Sequence, residues 1–257
     1  MRILISNDDG IYSPGIATLA RCATKFGDVR VVAPDVEQSS AGHAITASRP
    51  VRFRATHVFE DIEAYRVDGT PADCVALGIN QWDHVDIVLS GINLGLNLGN
   101  ATWHSGTLAA AKQAVLLGVR GIALSAPIDH DSSDLSALEP WIDRALETLL
   151  ERDEPRLVNV NFPAEPRDLM WTAQAVDHYN GRVVADEDPV GRPVYWFTVI
   201  PIEKLKEGTD LWAVNRGFVS LTPLRLDLTD YTELERVTGQ EGEEAARPTA
   251  SPLSSNR

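Results

Sequence analysis

Short aliphatic runs return along the first two-thirds of the chain with helix-like segments between them: "ILI" from Ile3, "VRVVA" from Val29, "VDIVLS" from Val85, "GIALS" from Gly121 and "LVNV" from Leu157. Runs this short and this apolar suit strands buried on both faces, and strands that alternate with helices pair in parallel through crossovers. The intervening segments carry helix punctuation. Ser13-Pro14 opens a helix read to end near Phe26-Gly27, and "SGTLAAAKQAVLLG" from Ser105 is closed by Gly118. Another helix is read from about Pro140 to Leu150. In "GTPADCV", Thr70 can cap, Pro71 suits the first helical position and Asp73 complements the dipole. The pattern predicts an α/β fold of parallel βαβ units covered by helices.

After about Asn161 the rhythm changes. "PVYWFTVIP" and "GFVSLTPLRL" are β-branched or aromatic and are read as strands or a hairpin arm. The expected organisation is a core over 1–161, a β-rich region over 162–235 that completes the fold, and a polar tail over 236–257 too poor in apolar surface to offset ordering entropy.

A net charge of −14, without a lysine/arginine cluster, argues against a nucleic-acid polymer as partner. It also repels anionic small molecules, so a phosphate-bearing substrate would need a local positive centre, a metal ion or helix N-termini. No run approaches the roughly 20 apolar residues of a membrane span, and the basic-then-apolar order of a secretory signal is missing. The expected location is cytoplasmic, away from membranes, with Cys22 and Cys74 as reduced, buried thiols.

Polar loops follow the first three strands: "NDDG", "PDVEQSSAGH" and "SGINLGLNLGN". In open parallel sheets ligands bind beyond the carboxyl ends of the strands, so these loops can share one crevice. Asp8 and Asp9 can converge there only if the backbone turns, and the Asp-Gly pair at Asp9-Gly10 allows it. Two close carboxylates repel one another unless a cation holds them ionised, and oxygen-rich, sulfur-free surroundings favour Mg²⁺, Mn²⁺ or Ca²⁺. A solvated turn is the alternative. In the second loop a serine hydroxyl can complete a metal shell and His43 can protonate a leaving alkoxide, or each can serve its own loop. In the third, an asparagine amide oxygen is a neutral ligand or the residue simply takes a left-handed backbone. Ser105 caps a helix whose free amides, near Gly106 and Thr107, can bind a phosphoryl group. A serine esterase built on Ser105 and His104 lacks the "GxSxG" elbow.

In order, "ILISNDDGIYSPGI", "VVAPDVEQSSAGHAIT", "GTPADCVALG", "LSGINLGLNLG", "HSGTLAAA", "LVNVNFP" and "GTDLWAVNRGFVSLTPLRLDLTD" resemble the SurE family of metal-dependent nucleotidases over nearly the whole chain before about Arg236. The resemblance implies a Rossmann-like three-layer core with a C-terminal β-rich arm or swapped region, in a homodimer or homotetramer. It implies hydrolysis of nucleoside 5′- and 3′-monophosphates with one divalent metal ion per subunit, Mg²⁺ or Mn²⁺. Carried over by motif, the metal ligands are Asp8, Asp9, Ser39 and Asn93; Ser40 adjoins Ser39, and the spacing to Gly42-His43 favours Ser39. Phosphate would lie at Asn93 and Ser105 to Thr107, with Asp8, Asp9 and His43 as catalytic residues; water and an aspartate both remain open as nucleophile. Two rivals stand beside this reading: a broad phosphatase or polyphosphatase, and a nucleotide-binding regulatory module without turnover.

Overall fold

Ile3, Leu4 and Ile5 are all fully buried, although successive strand residues point to opposite faces. The sheet must therefore be covered on both sides. In the computed structural model, which describes residues 1–127, 135–176, 181–199 and 205–239, β1 (Arg2–Ser6) is followed by α1 (Pro14–Ala23), β2 (Asp28–Pro34), β3 (Phe53–Thr56), β4 (Glu63–Val67), α2 (Pro71–Asn80), β5 (Ile87–Leu94) and α3 (Gly106–Leu116). Then come β6 (Arg120–Ala126), α4 (Glu139–Leu150), β7 (Leu157–Asn161), β8 (Asp168–Trp171), β9 (Gly181–Glu187), β10 (Pro193–Val199), α5 (Asp210–Asn215), β11 (Phe218–Pro223) and α6 (Tyr231–Thr238).

The main sheet runs β3-β4-β2-β1-β5-β6-β7-β11-β8. From β4 to β7 every neighbouring pair is parallel, whereas β3 and β11 run antiparallel to β4 and β7. Ile3 and Ile5 pack with Ile16 and Leu19 of α1 and Ile142 and Leu146 of α4. Leu4 faces the other way, among Val75 of α2 and Ala110 and Ala114 of α3. The α/β expectation is met as three layers, with a separate antiparallel hairpin of β9 and β10.

Several details differ from the sequence reading. Helix α1 stops at Ala23, and the residues up to Phe26 continue only as a turn, with the Phe26 amide on the Ala23 carbonyl. Of the two readings of "GFVSLTPLRL", the strand holds and the arm does not: β11 lies in the main sheet between β7 and β8. The arm is built from "PVYWFTV" and the unanticipated β9. Helix α6 crosses the expected start of the tail at 236; residues 240–257 lie outside the described residues. The punctuation of α2 holds in full, since Thr70 and Asp73 form a reciprocal capping box behind Pro71. Cys22 and Cys74 are buried free thiols.

Candidate active site

The three loops meet. A cavity of about 530 Å³ opens beyond the carboxyl ends of β1, β2 and β5, and Asp8, Ser39, Asn93, His104, Leu94 and Phe197 are among its walls. The turn after β1 is made by Gly10, at φ +93°, a conformation open to glycine at little cost. The Asn7 side-chain amide fixes that turn by donating to the Gly10 carbonyl at 2.9 Å.

Asp8 is 4% exposed and lies against the start of α3. Its Oδ1 accepts the Thr107 hydroxyl at 2.6 Å. A Cβ on Gly106 would come within 2.9 Å of its Oδ2, so only glycine leaves the carboxylate this space. Burial raises the Asp8 pKa, against the Thr107 hydroxyl and the amides of Thr107 and Gly106, which favour the ionised form. The amides expected to meet a phosphoryl group thus already face Asp8.

Asp9 meets the end of β5, where its Oδ2 accepts the Leu94 amide at 3.1 Å. Burial, with the charges of Asp8 and Glu37, pushes its pKa up to about 6 despite that bond. No basic side chain is among the groups acting on either carboxylate.

Strand β5 runs farther than "VDIVLS" suggests, through Leu94, and its pairing with β6 shifts register between Ser90 and Asn93. This shift brings Asn93 to the strand end beside the cavity. The Asn93 amide nitrogen donates to the Gly95 carbonyl at 2.6 Å, which leaves its Oδ1 as an acceptor for a ligand. Ser39 donates its hydroxyl proton to Glu37 at 2.7 Å, so its lone pairs are likewise left over. The Ser39 loop is held at α2, where the Thr70 hydroxyl donates to the Ala44 carbonyl at 2.7 Å and Asp73 accepts the Thr46 amide at 3.0 Å. Ser40, at φ 60°, also borders the cavity.

Of the expected residues, Asp8, Ser39, Asn93 and Ser105 line the cavity, whereas Asp9, His43, Gly106 and Thr107 stand outside its wall. The Nε2 of His43 is paired with Gln113 Oε1 at 2.9 Å, at an exposed position on α3. The wall histidine is His104, whose carbonyl accepts the Gly42 amide at 3.0 Å. Sequence reading also passed over Asp210, which is fully buried. Its oxygens accept the amides of Gly99, Ala175 and Leu211 at 2.8–2.9 Å, tying down the loop between Asn97 and His104 from α5. The cap at Thr209 was the available sign.

Residues 3–181 match the family model described as "Survival protein SurE". The chain belongs to the SurE family. It is 48% identical over 244 residues to "5'-nucleotidase SurE 1" of Thermus thermophilus, covering 93% of this chain and 97% of that one. It is 45% identical over 236 residues to "5'-nucleotidase SurE" of Deinococcus radiodurans, covering 89% and 88%. A crystal structure of the SurE protein from Aquifex aeolicus superposes with a TM-score of 0.80 at 36% identity, covering 93% of this chain and 99% of that one. The family likeness noted in the sequence motifs is thereby established, and with it the three-layer fold.

Proposed function

We propose that the cavity hydrolyses nucleoside 5′-monophosphates, and 3′-monophosphates in the same way, to nucleoside and inorganic phosphate. One observation carries this reading. The Asp8 carboxylate, with Asp9 next to it in the chain, and a serine and an asparagine with spare acceptor oxygens form the polar side of a cavity whose other wall is apolar, with Leu94, Ala101 and Phe197. The polar wall suits a cation and a phosphate, and the apolar wall suits a nucleoside. The relatives named 5′-nucleotidase support the same activity.

The residues fit a divalent metal ion. Burial raises both Asp8 and Asp9, and the charges of Asp8 and Glu37 raise Asp9 further, with no basic side chain among the groups acting on them, and the remaining donors, Ser39 and Asn93, are hard oxygens suited to Mg²⁺ or Mn²⁺. When bound there, one ion per subunit would draw charge from the phosphoryl oxygens as a Lewis acid. Asp8 and Asp9 would hold it, with Ser39 and Asn93 completing the protein ligands. Asn93 and the start of α3 at Ser105 to Thr107 would orient the phosphoryl group, sharing the helix end with Asp8. Such a local positive centre is what a chain of net charge −14 needs in order to admit an anion. His104, on the wall, replaces His43 as the group placed to protonate the leaving alkoxide.

Free, buried Cys22 and Cys74 support a reducing, cytoplasmic setting. Among the described residues no helix is long and apolar enough to cross a membrane. The hairpin leaves Tyr195 and Trp196 each 62% exposed, and these faces support a homodimer or homotetramer.

A panel of nucleoside monophosphates, p-nitrophenyl phosphate and polyphosphate, assayed for phosphate release with chelator and with Mg²⁺ or Mn²⁺ restored, tests the reading. Equal turnover of all substrates would replace it by a broad phosphatase. Nucleotide binding without phosphate release would replace it by a regulatory module.

A further inference from the structure

Strand β7 carries Asn159 and Asn161, both fully buried and, two residues apart, on the same face of the sheet. Neither lines the cavity. Both donate their side-chain amides to one acceptor, the backbone carbonyl of Asn97, at 2.7 and 3.1 Å. Asn161 Oδ1 also accepts the Asn97 backbone amide at 2.8 Å. The Asn161 side chain thus pairs with both backbone groups of Asn97, as a neighbouring strand would, where the loop has left the sheet.

The connection continues toward the carboxylates. Asn97 Nδ2 donates to Ser125 Oγ at 2.9 Å and, at a longer 3.4 Å, to Thr107 Oγ1. An amide nitrogen cannot accept, so Thr107 accepts from Asn97 and its own proton is left for Asp8 Oδ1, 2.6 Å away. Exposure is 8% at Asn97, 4% at Asp8 and zero at Thr107, Ser125, Asn159 and Asn161, which leaves bulk water little access to replace a missing partner.

Asn159 supplies a second observation. Its buried Oδ1 has no hydrogen-bond partner, so among the described residues the hydrogen bond that accounts for its amide is the one to Asn97. A buried polar side chain left half-satisfied costs stability, which an apolar residue at the same place would avoid.

We propose that Asn159 and Asn161 are positioning residues that act through Asn97, which itself borders the cavity. They hold Thr107 as a one-way donor to Asp8 and leave the remaining lone pairs of that carboxylate directed to the divalent ion, an inference that rests on the metal reading above. Neutral amides suit this task because they orient the ligand without adding charge to a region where Asp8 and Glu37 already act on Asp9. The proposal gives "LVNVNFP" a role that no contact with substrate provides.

The test is Mn²⁺ binding to the purified full-length chain, followed by electron paramagnetic resonance, with circular dichroism melts of each variant. Asn161→Asp places an acceptor against the Asn97 carbonyl, and Asn159→Leu removes the donor at similar volume. Partners that orient metal ligands typically affect affinity by about 10- to 100-fold. Both variants are therefore expected to melt cooperatively, to bind Mn²⁺ at least about tenfold more weakly, and to lose kcat while KM at saturating Mn²⁺ shifts less than about twofold. Wild-type Mn²⁺ affinity in either folded variant overturns the proposal. Should neither fold, Thr107→Val must lose Mn²⁺ affinity by the same factor while Thr107→Ser retains it; equal binding by these two overturns it as well. A wild-type chain that binds no Mn²⁺, or an Asp8→Asn chain that binds it normally, overturns the metal reading itself and the inference with it.

Discussion

A Cβ added to Gly106 would stand 2.7 Å from the Cβ of Asp8, so the first turn of α3 and the first carboxylate fill adjoining space without room for a methyl group. Neither is the flexible end of a long side chain, and one of them has to move to admit it. Gly106→Ala is expected to displace Asp8 and lower kcat about 100-fold, the scale associated with misplacing a reacting group by about 1 Å. Steady-state kinetics beside a thermal melt checks it: near-wild-type turnover would mean the contact yields.

The two histidines separate cleanly by substitution. His104 borders the cavity whereas His43 is paired with Gln113 on α3. A positioned general acid contributes about 10²- to 10⁴-fold, so His104→Ala should lower kcat on a nucleoside monophosphate by at least about 100-fold. It should cost much less on p-nitrophenyl phosphate, whose leaving group needs no proton. His43→Ala is expected to stay within about threefold of wild type on both, and a reversed order would return the role to His43.

Asp9 makes stability depend on pH. Its folded pKa is about 6 against an ordinary 3.8, so between those values the folded chain holds a proton that the unfolded chain has lost. Its contribution to stability is fully present below about pH 4 and falls away as pH rises through about 6. In chelator, the stability gained by Asp9→Asn over wild type should grow across that window and level off above it. Denaturant titrations at several pH values measure the difference, and a gap that shrinks with rising pH would refute the assignment. Because Mg²⁺ or Mn²⁺ favours the ionised form, either ion should raise the wild-type melting temperature more at pH 7.5 than at pH 5.

Phe197 is 87% exposed and borders the cavity on its apolar side. Stacking of a base on an aromatic ring is worth about 1–3 kcal/mol. Phe197→Ala should therefore raise KM for purine nucleoside monophosphates at least about fivefold. Hydrolysis of p-nitrophenyl phosphate should be unaffected, and Phe197→Tyr should restore nucleotide KM. An unchanged KM ratio between the two substrates in the alanine variant would remove Phe197 from substrate recognition.

What could be read in the sequence was what depends on near neighbours. The turn at Asp9-Gly10, the capping box of Thr70 and Asp73 and the cap at Ser105 are decided within a few residues, and each is present. The buried strands announced themselves by composition, whereas β4, "EAYRV", mixes charged and apolar residues and gave no such sign. Direction and register were out of reach. His43 had the right chemistry, but its ring is claimed by Gln113, 70 positions away. Asn161 meets Asn97 across 64 positions, a pairing that exists only once β7 lies beside β6 and the third loop folds over both.

Among the described residues the β9–β10 hairpin shares no ladder with the nine-stranded sheet, yet it supplies Phe197 to a cavity whose carboxylate, Asp8, follows β1 of that sheet. If Phe197 recognises the base as predicted, selection of the departing alcohol and cleavage of its ester fall to separately anchored pieces of backbone. Mutations along the arm can retune which compounds are accepted while the cleavage apparatus stays as it was, a division of labour suited to descendants that diverge in diet before they diverge in chemistry.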